Sequence, residues 1–376
     1  MRPLSSLLSP LPVLAVVSIL LTVSVSAYFV LNDDKHDISI AWANKDCYEP
    51  FWIADALGYW EDEGVKVNGI IMNNGSECAA AVLSGNADLG GMGADPLLRM
   101  LRDDRGASVL ARYQTGHSHS EFVARDGKIS MSTYAALLEE SEASEDDTYL
   151  IEYLNEAVKG ARVGMQVGTA YWSWFLGFLE TIGLTADDVT IVPLDFNVQV
   201  AALDKGEVDM ISGGSPNTEN ALSLISDSFM IRDPDQKLAS IFLMASGSAQ
   251  AAKSDAIVKV LNGLQRACDF IYSNPEEAAQ IIIDAYGRNW SIQQQSDVFK
   301  KSIWGIDIVD ADIEALVTAA SLINNAGQER MGPLPDTEEM IKERVFRTFM
   351  LAAGLPTDDL ILRETEAGID PHYTEL

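Results

Sequence analysis

Residues 161–180, A-R-V-G-M-Q-V-G-T-A-Y-W-S-W-F-L-G-F-L-E, limit the fold more than any other stretch. Arg162 to Gln166 is short and largely apolar, the mark of a buried parallel strand. Val167-Gly168-Thr169 then turns, with Thr169 as N-cap of a helix. In that helix Tyr171, Phe175, Phe178, Leu179 and Ile182 recur at helical spacing and should face a sheet. Residues 187–194 read as the next strand. A strand, a glycine turn and a helix leave free N–H groups at the helix start, where an anion or a polar ligand group can dock. The unit is a β-α-β step of an α/β sheet.

A second pattern points to two such halves. Residues 83–89 and 203–210 share one grammar: helix end, glycine turn, acid, short strand. Each is followed by a glycine-rich loop, residues 91–96 and 213–217. Two similar halves are the simplest account, with coincidence as the alternative because Gly-x-x-Asp is short and common. Residues 38–42 form an opening strand, 43–49 a polar and aromatic loop, and Pro50 starts a helix. Residues 121–125 and 237–245 read as strands crossing between the halves, and the acidic run 139–147 as a solvated insertion. From Ala249 the chain reads as helical, over 255–272, 275–286, 292–300, 310–324 and 337–352.

Charge and cysteines narrow the function. With 26 basic and 56 acidic residues the formal net charge is −30, which argues against nucleic acid or an anionic membrane face as partner. Cys47, Cys78 and Cys268 lack metal-ligand spacing; a Cys47–Cys78 bridge and buried free thiols both stay open. No G-x-S-x-G, P-loop or HExxH pattern is present, so no catalytic residue, metal or cofactor is expected. Residues 11–31 carry no charge, so they read as a signal peptide cleaved near Val25-Ser26-Ala27, or as a retained single span. Either reading exports the remainder of the chain.

Five motifs then stand in one order. They are Gly58-Tyr59-Trp60 with Gly64-Val65-x-Val67, then Leu83-x-Gly85-x-x-Asp88-x-Gly90. Next come Lys159-Gly160-Ala161-Arg162-Val163-Gly164 with Gly168-Thr169-Ala170-Tyr171-Trp172, Gly183-Leu184-x-x-x-Asp188-Val189, and Leu203-x-x-Gly206-x-Val208-Asp209. In this order they resemble the extracellular substrate-binding proteins of ABC importers, in the branch serving nitrate, sulfonates, taurine and the pyrimidine precursors of thiamine. The likeness runs over residues 38–209 and thins after residue 233. It implies an α/β, two-lobed periplasmic-binding-protein (Venus flytrap) fold of type II, with a helical C-terminal part. The implied divisions are 1–37, signal or membrane anchor; 38–120, first part of lobe 1; 121–237, lobe 2; 238–352, return to lobe 1; and 353–376, tail. Such proteins close about a hinge around their ligand. The resemblance further implies a monomer outside the cytoplasm, tethered by its N-terminal segment if that is uncleaved, with a permease and its ATPase subunit as partners.

In open α/β sheets ligands sit beyond the carboxyl ends of strands, where helix N-termini converge. The candidate ligand-binding residues at those ends are Trp42, Asn44, Asp46, Tyr48, Gly93, Asp95, Gln114, His117, Thr169, Tyr171, Trp172, Asp195, Asn197 and Asn217. Trp42, Tyr48, Tyr171 and Trp172 offer aromatic faces to a flat or cationic ligand, with core packing as the other reading of Trp172 and Trp174. Asp46, Glu49, Asp95, Asp195 and Glu219 outweigh Lys45, His117 and His119 in these loops. An aromatic, nitrogen-rich or cationic solute such as a thiamine pyrimidine precursor is the expected ligand. A sulfonate, taurine or nitrate is the alternative and would want an Arg or Lys fork. An enzyme making the thiamine pyrimidine shares the fold but carries a dense cysteine motif that this chain lacks. A membrane-anchored ligand sensor is the remaining class.

Overall fold

Strand β1 (Ile38–Ala43) is apolar on both faces and is covered on both, which places it inside a sheet rather than at its rim. The computed structural model describes residues 36–116, 121–212, 214–234, 239–327 and 332–355. Helix α1 (Glu49–Ala56) leads to β2 (Val67–Met72), and α2 (Gly75–Leu83) to β3 (Leu89–Gly93). Both strands pair with β1 in parallel. Helix α3 (Ala94–Asp103) connects to β4 (Ser108–Gly116), after which the chain enters a second sheet as β5 (Glu121–Arg125).

The second sheet holds β6 (Arg162–Met165), α4 (Ala170–Thr181), β7 (Thr190–Pro193), α5 (Phe196–Asp204), β8 (Met210–Ser212), α6 (Asn217–Leu224) and β9 (Ser228–Arg232) in sequence, with the helices as connections. Its strand order is β7-β6-β8-β5-β9. The chain then returns as β10 (Ala239–Ala245), which lies antiparallel between β3 and β4. Helices α7 (Ser254–Ser273), α8 (Pro275–Tyr286) and α9 (Ile292–Lys300) come next, then β11 (Ser302–Asp307) and α10 (Asp310–Asn325). The first sheet thus reads β11-β4-β10-β3-β1-β2. Two α/β layers joined by two crossings are the expected fold class.

Side-chain alternation assigns the helices to faces. Tyr113 of β4 points toward α1, its ring 4.9 Å from that of Phe51, while its neighbour Arg112 points the other way and reaches Asp312 of α10 at 3.2 Å. Helices α1 and α7 therefore cover one face of the first sheet, and α3 and α10 the other. Helix α10 also packs against α4 of the second sheet.

Several local expectations need correction. The return is not wholly helical, because Ser302–Asp307 is a strand antiparallel to β4 and buried throughout. A short apolar run covered on both faces has no alternation to betray it. In place of one helix over 337–352 there are two, Glu338–Lys342 and Thr348–Ala352. Between them Arg344 donates to the carbonyls of Leu101 (3.1 Å), Asp104 (2.6 Å) and Ala107, and Val345 bridges to Val109. The acidic run lies at the surface but is largely helical, within Met131–Ser144 and up to the start of Thr148–Val158. Cys47, Cys78 and Cys268 are buried free thiols, so the bridge is absent. Readings on residues 1–35, on the tail beyond 355, and on His117, His119 and Gly213 fall outside the described residues. Among the described residues no helix is long and apolar enough to cross a membrane.

Candidate functional site between the two sheets

The loop after β1 is short and folds tightly. Cys47 takes φ 80°, a left-handed conformation costly for a residue with a Cβ, and Pro50 sits in the first turn of α1 where its fixed φ and missing N–H do no harm. This turn presents Lys45 and Asp46 to the second sheet's loops. The Lys45 ammonium stands 3.0 Å from the ring centroid of Phe196 and 5.9 Å from that of Tyr171. Those two rings meet edge to face at 4.9 Å, one from the start of α5 and one from the first turn of α4. Asp46 accepts a hydrogen bond from the Ser215 N–H at 3.1 Å through Oδ2, while Oδ1 is buried with no partner.

Further contacts bring the two halves together here. The Ser76 hydroxyl, at the start of α2, donates to the Gly168 carbonyl at 2.5 Å. A Cβ on Gly93 would lie 2.4 Å from that of Ala170, so only glycine admits α4 this close to β3. Gly214 has φ 97°, and a Cβ there would stand 1.9 Å from the Tyr171 hydroxyl oxygen. The backbone before α6 thus fits against the Tyr171 ring only because a side chain is missing.

Behind Asp46 lies Glu49, wholly buried, with neither carboxylate oxygen hydrogen-bonded. The N–H groups of Cys47 and Glu49 itself favour its charge without reaching hydrogen-bond geometry. Burial raises the proton affinity of both carboxyls, while the Arg288 guanidinium works against the rise. Burial likewise makes the Lys45 ammonium easier to deprotonate, which Asp46 partly offsets. Arg288 is stacked on Tyr286 (4.2 Å) and Trp290 (4.5 Å) and donates to Gln295 at 2.8 Å. The Tyr286 hydroxyl donates to the Lys45 carbonyl. Glu219 of α6 adds a third carboxylate with a buried oxygen lacking a partner. Buried acceptors are rarely left unmet because each costs about 1–3 kcal/mol, more when charged. The unmet buried carboxyl oxygens between the two lobes are acceptors that a donor-bearing molecule would satisfy.

Residues 150–278 match the family model described as NMT1/THI5 like. The alkanesulfonate-binding protein SsuA from Xanthomonas axonopodis pv. citri, bound to MOPS, superposes with TM-score 0.64 at 17% identity, covering 82% of this chain and 97% of that one. The periplasmic nitrate-binding protein NrtA from Synechocystis PCC 6803 does so with TM-score 0.60 at 12% identity, covering 89% and 91%. This is the two-lobed fold of the type II periplasmic binding proteins. A protein of Brucella abortus (strain 2308) named a binding protein is 23% identical over 236 residues, 61% of this chain. The match spans only 65% of that relative's length. The 4-amino-5-hydroxymethyl-2-methylpyrimidine phosphate synthase of Aspergillus parasiticus is 23% identical over 270 residues, 68% of this chain and 71% of its own.

In this binding-protein fold the candidate residues separate into groups. Asp46, Tyr171 and Gly93 meet between the lobes. Thr169 is buried beside them at the N-cap position, but its hydroxyl donates to the Gln166 carbonyl at 2.8 Å and caps nothing. Asn217 donates to the Phe196 carbonyl at 2.8 Å, tying two loops of one lobe together. Trp42 and Trp172 do not offer a stacking face. Trp42 is packed among Phe51, Trp52 and Trp60 at 5.7–5.9 Å with its ring over Gly69, and Trp172 is wholly buried in the core. Both are large apolar surfaces next to a sheet, and burying them outweighs presenting them. Tyr48 is buried too, its hydroxyl donating to the Gly91 carbonyl at 3.1 Å. Asp95 pairs with Arg99 one turn along α3, and Gln114 donates to Ser302 at 2.6 Å across β4 and β11. Asn44, Asp195 and Asn197 are exposed, Asp195 accepting from Gln166 at 3.3 Å. The sequence reading missed Tyr286 and Arg288. Their signal was Tyr286-Gly287-Arg288-Asn289-Trp290, aromatics flanking an arginine at a glycine-ended helix.

Proposed function

We propose that this chain is the extracytoplasmic solute-binding component of an ABC importer, working by capture without chemistry. The observation that carries this reading is the buried, unmet Asp46 and Glu49 pair where the lobes touch. A solute entering the open form would supply the missing donors. Contacts to both lobes would then favour the closed form by differential affinity. A permease pair with a separate ATPase receives it. The lobes run over 38–120 with 238–352, and over 121–237, and the N-terminal segment serves for export or tethering.

The solute is a flat, nitrogen-bearing or cationic molecule, such as a hydroxymethylpyrimidine. Three carboxyl groups with unmet oxygens favour N–H donors, and Tyr171 and Phe196 give such a molecule rings to lie against. The NMT1/THI5-like match and the relative named a pyrimidine phosphate synthase agree in kind. A sulfonate or nitrate is the second reading, favoured by Lys45 and Arg288 in the same cluster and by the fold neighbours named for those anions.

A thermal-shift screen separates the two. Hydroxymethylpyrimidines, thiamine, quaternary amines, taurine, alkanesulfonates and nitrate form the panel. A ligand at a hundred times its Kd stabilises by about 2.7 kcal/mol. Shifts confined to the nitrogenous members support the first reading. Shifts with sulfonates or nitrate alone establish the second, and no shift from these or a broad metabolite library sinks solute capture altogether.

A further inference from the structure

An opening lies on the other face of the first sheet. It measures about 310 Å³ and takes its walls from both lobes: Ser173, Trp174 and Gly177 of α4 on one side, Phe242 of β10 and α10 on the other. It is not the Asp46 site. Asp46 and Glu49 belong to the face covered by α1, on the Tyr113 side of the sheet, whereas this cavity lies on the Arg112 side. Small residues make the room: Ala311, Ala315 and Ala319 line one stripe of α10, and Gly177 faces them from α4. A methyl group on Gly177 would meet only Leu322, at an ordinary 3.9 Å. The volume is at the lower edge of small-molecule sites, roughly 300–1,000 Å³.

Trp174 and Phe242 give this opening aromatic walls, and among the described residues that form it the charged ones are Asp233, Asp312 and Glu314. Asp312 is engaged by Arg112 and by the Ser240 hydroxyl at 2.7 Å, and Glu314 is exposed. We propose that this cavity is a second ligand site, taking a small aromatic molecule with a protonated amine between α4 and α10. Its aromatic part lies against Trp174, and its ammonium points to the acidic mouth. Because one wall belongs to each lobe, occupancy favours the lobe positions that keep the walls this far apart.

Tryptamine is the probe, titrated by calorimetry into the protein and its variants. Ala315→Leu fills the cavity and should weaken one binding event by about tenfold or more, and the same loss should appear in an Asp46→Asn background, where uptake at the Asp46 site is already reduced. The proposal fails if the unaltered protein does not bind tryptamine. It fails equally if Asp46→Asn abolishes binding that Ala315→Leu retains in full. Should Ala315→Leu not fold, Gly177→Ala replaces it. That change suits a helix interior and narrows the same space, and an affinity unchanged by it overturns the site.

Discussion

Asp46 is held by a single backbone N–H in a place where its carboxylate can accept several donors. Its neighbour Glu49 has none in hydrogen-bond geometry. Replacing Asp46 with Asn keeps the shape but removes a carboxyl that can ionise against a bound donor, so ligand affinity should fall by about 10- to 100-fold, read by calorimetry. The same residues set a pH dependence. Burial raises both carboxyls, so the folded protein keeps protons that the unfolded chain releases above about pH 4. Their contribution to stability is therefore full below that pH and is lost as the pH rises through their raised folded values. Melting temperatures taken from pH 4.5 to neutrality should fall more steeply for the parent than for an Asp46→Asn/Glu49→Gln double variant. Parallel curves would show that these groups do not titrate as their burial requires. Gly214→Ala meets both a left-handed φ and the Tyr171 hydroxyl, so it should weaken ligand binding and cost about 1–3 kcal/mol, measured by denaturant midpoint.

Among the elements, β11 and the Arg344 turn are the pieces that close the first sheet's far edge. Arg344 satisfies carbonyls of Leu101, Asp104 and Ala107 that have turned away from helix and strand partners. Arg344→Ala should cost about 3 kcal/mol in denaturant midpoint, and a cost near zero would mean that water replaces the guanidinium freely. Legibility also divides at this scale. The β-α-β units of both lobes were readable because glycine turns and acids recur at matching places, as at Gly85-x-x-Asp88 and Gly206-x-x-Asp209. Strand β11 was not, since Ser302–Asp307 is covered on both faces and shows no alternation. Part of the candidate site was readable. Asp46 and Tyr171 follow from strand-end and helix-start positions, whereas Arg288 comes from the helical return, far along the chain from β1. Trp42 and Trp172 mislead because an aromatic residue near a strand end looks the same in sequence whether it is buried or on display.

For the whole molecule, the essential feature is that the lobes meet at the cleft through small contacts: Asp46 with Ser215, Ser76 with Gly168, Gly93 against Ala170. Away from these contacts α10 and α3 pack against α4, so the two lobes also share apolar surface. Part of the −30 formal charge lies at the surface on the helices carrying residues 139–147. That charge keeps the protein soluble and repels anions at long range. Raising ionic strength should therefore leave capture of a neutral pyrimidine unchanged and speed that of a sulfonate, a difference that stopped-flow binding at two salt concentrations reads directly.

The proposed function depends on a nitrogenous solute binding between the lobes on Asp46 and Glu49. Calorimetric titration of the protein and of its Asp46→Asn variant with 4-amino-5-hydroxymethyl-2-methylpyrimidine, and separately with an alkanesulfonate, decides whether it does. The predicted result is saturable one-to-one binding of the pyrimidine, weakened about tenfold or more in the variant, with no heat from the sulfonate. Sulfonate binding that Asp46→Asn leaves untouched, with the pyrimidine silent, would contradict it.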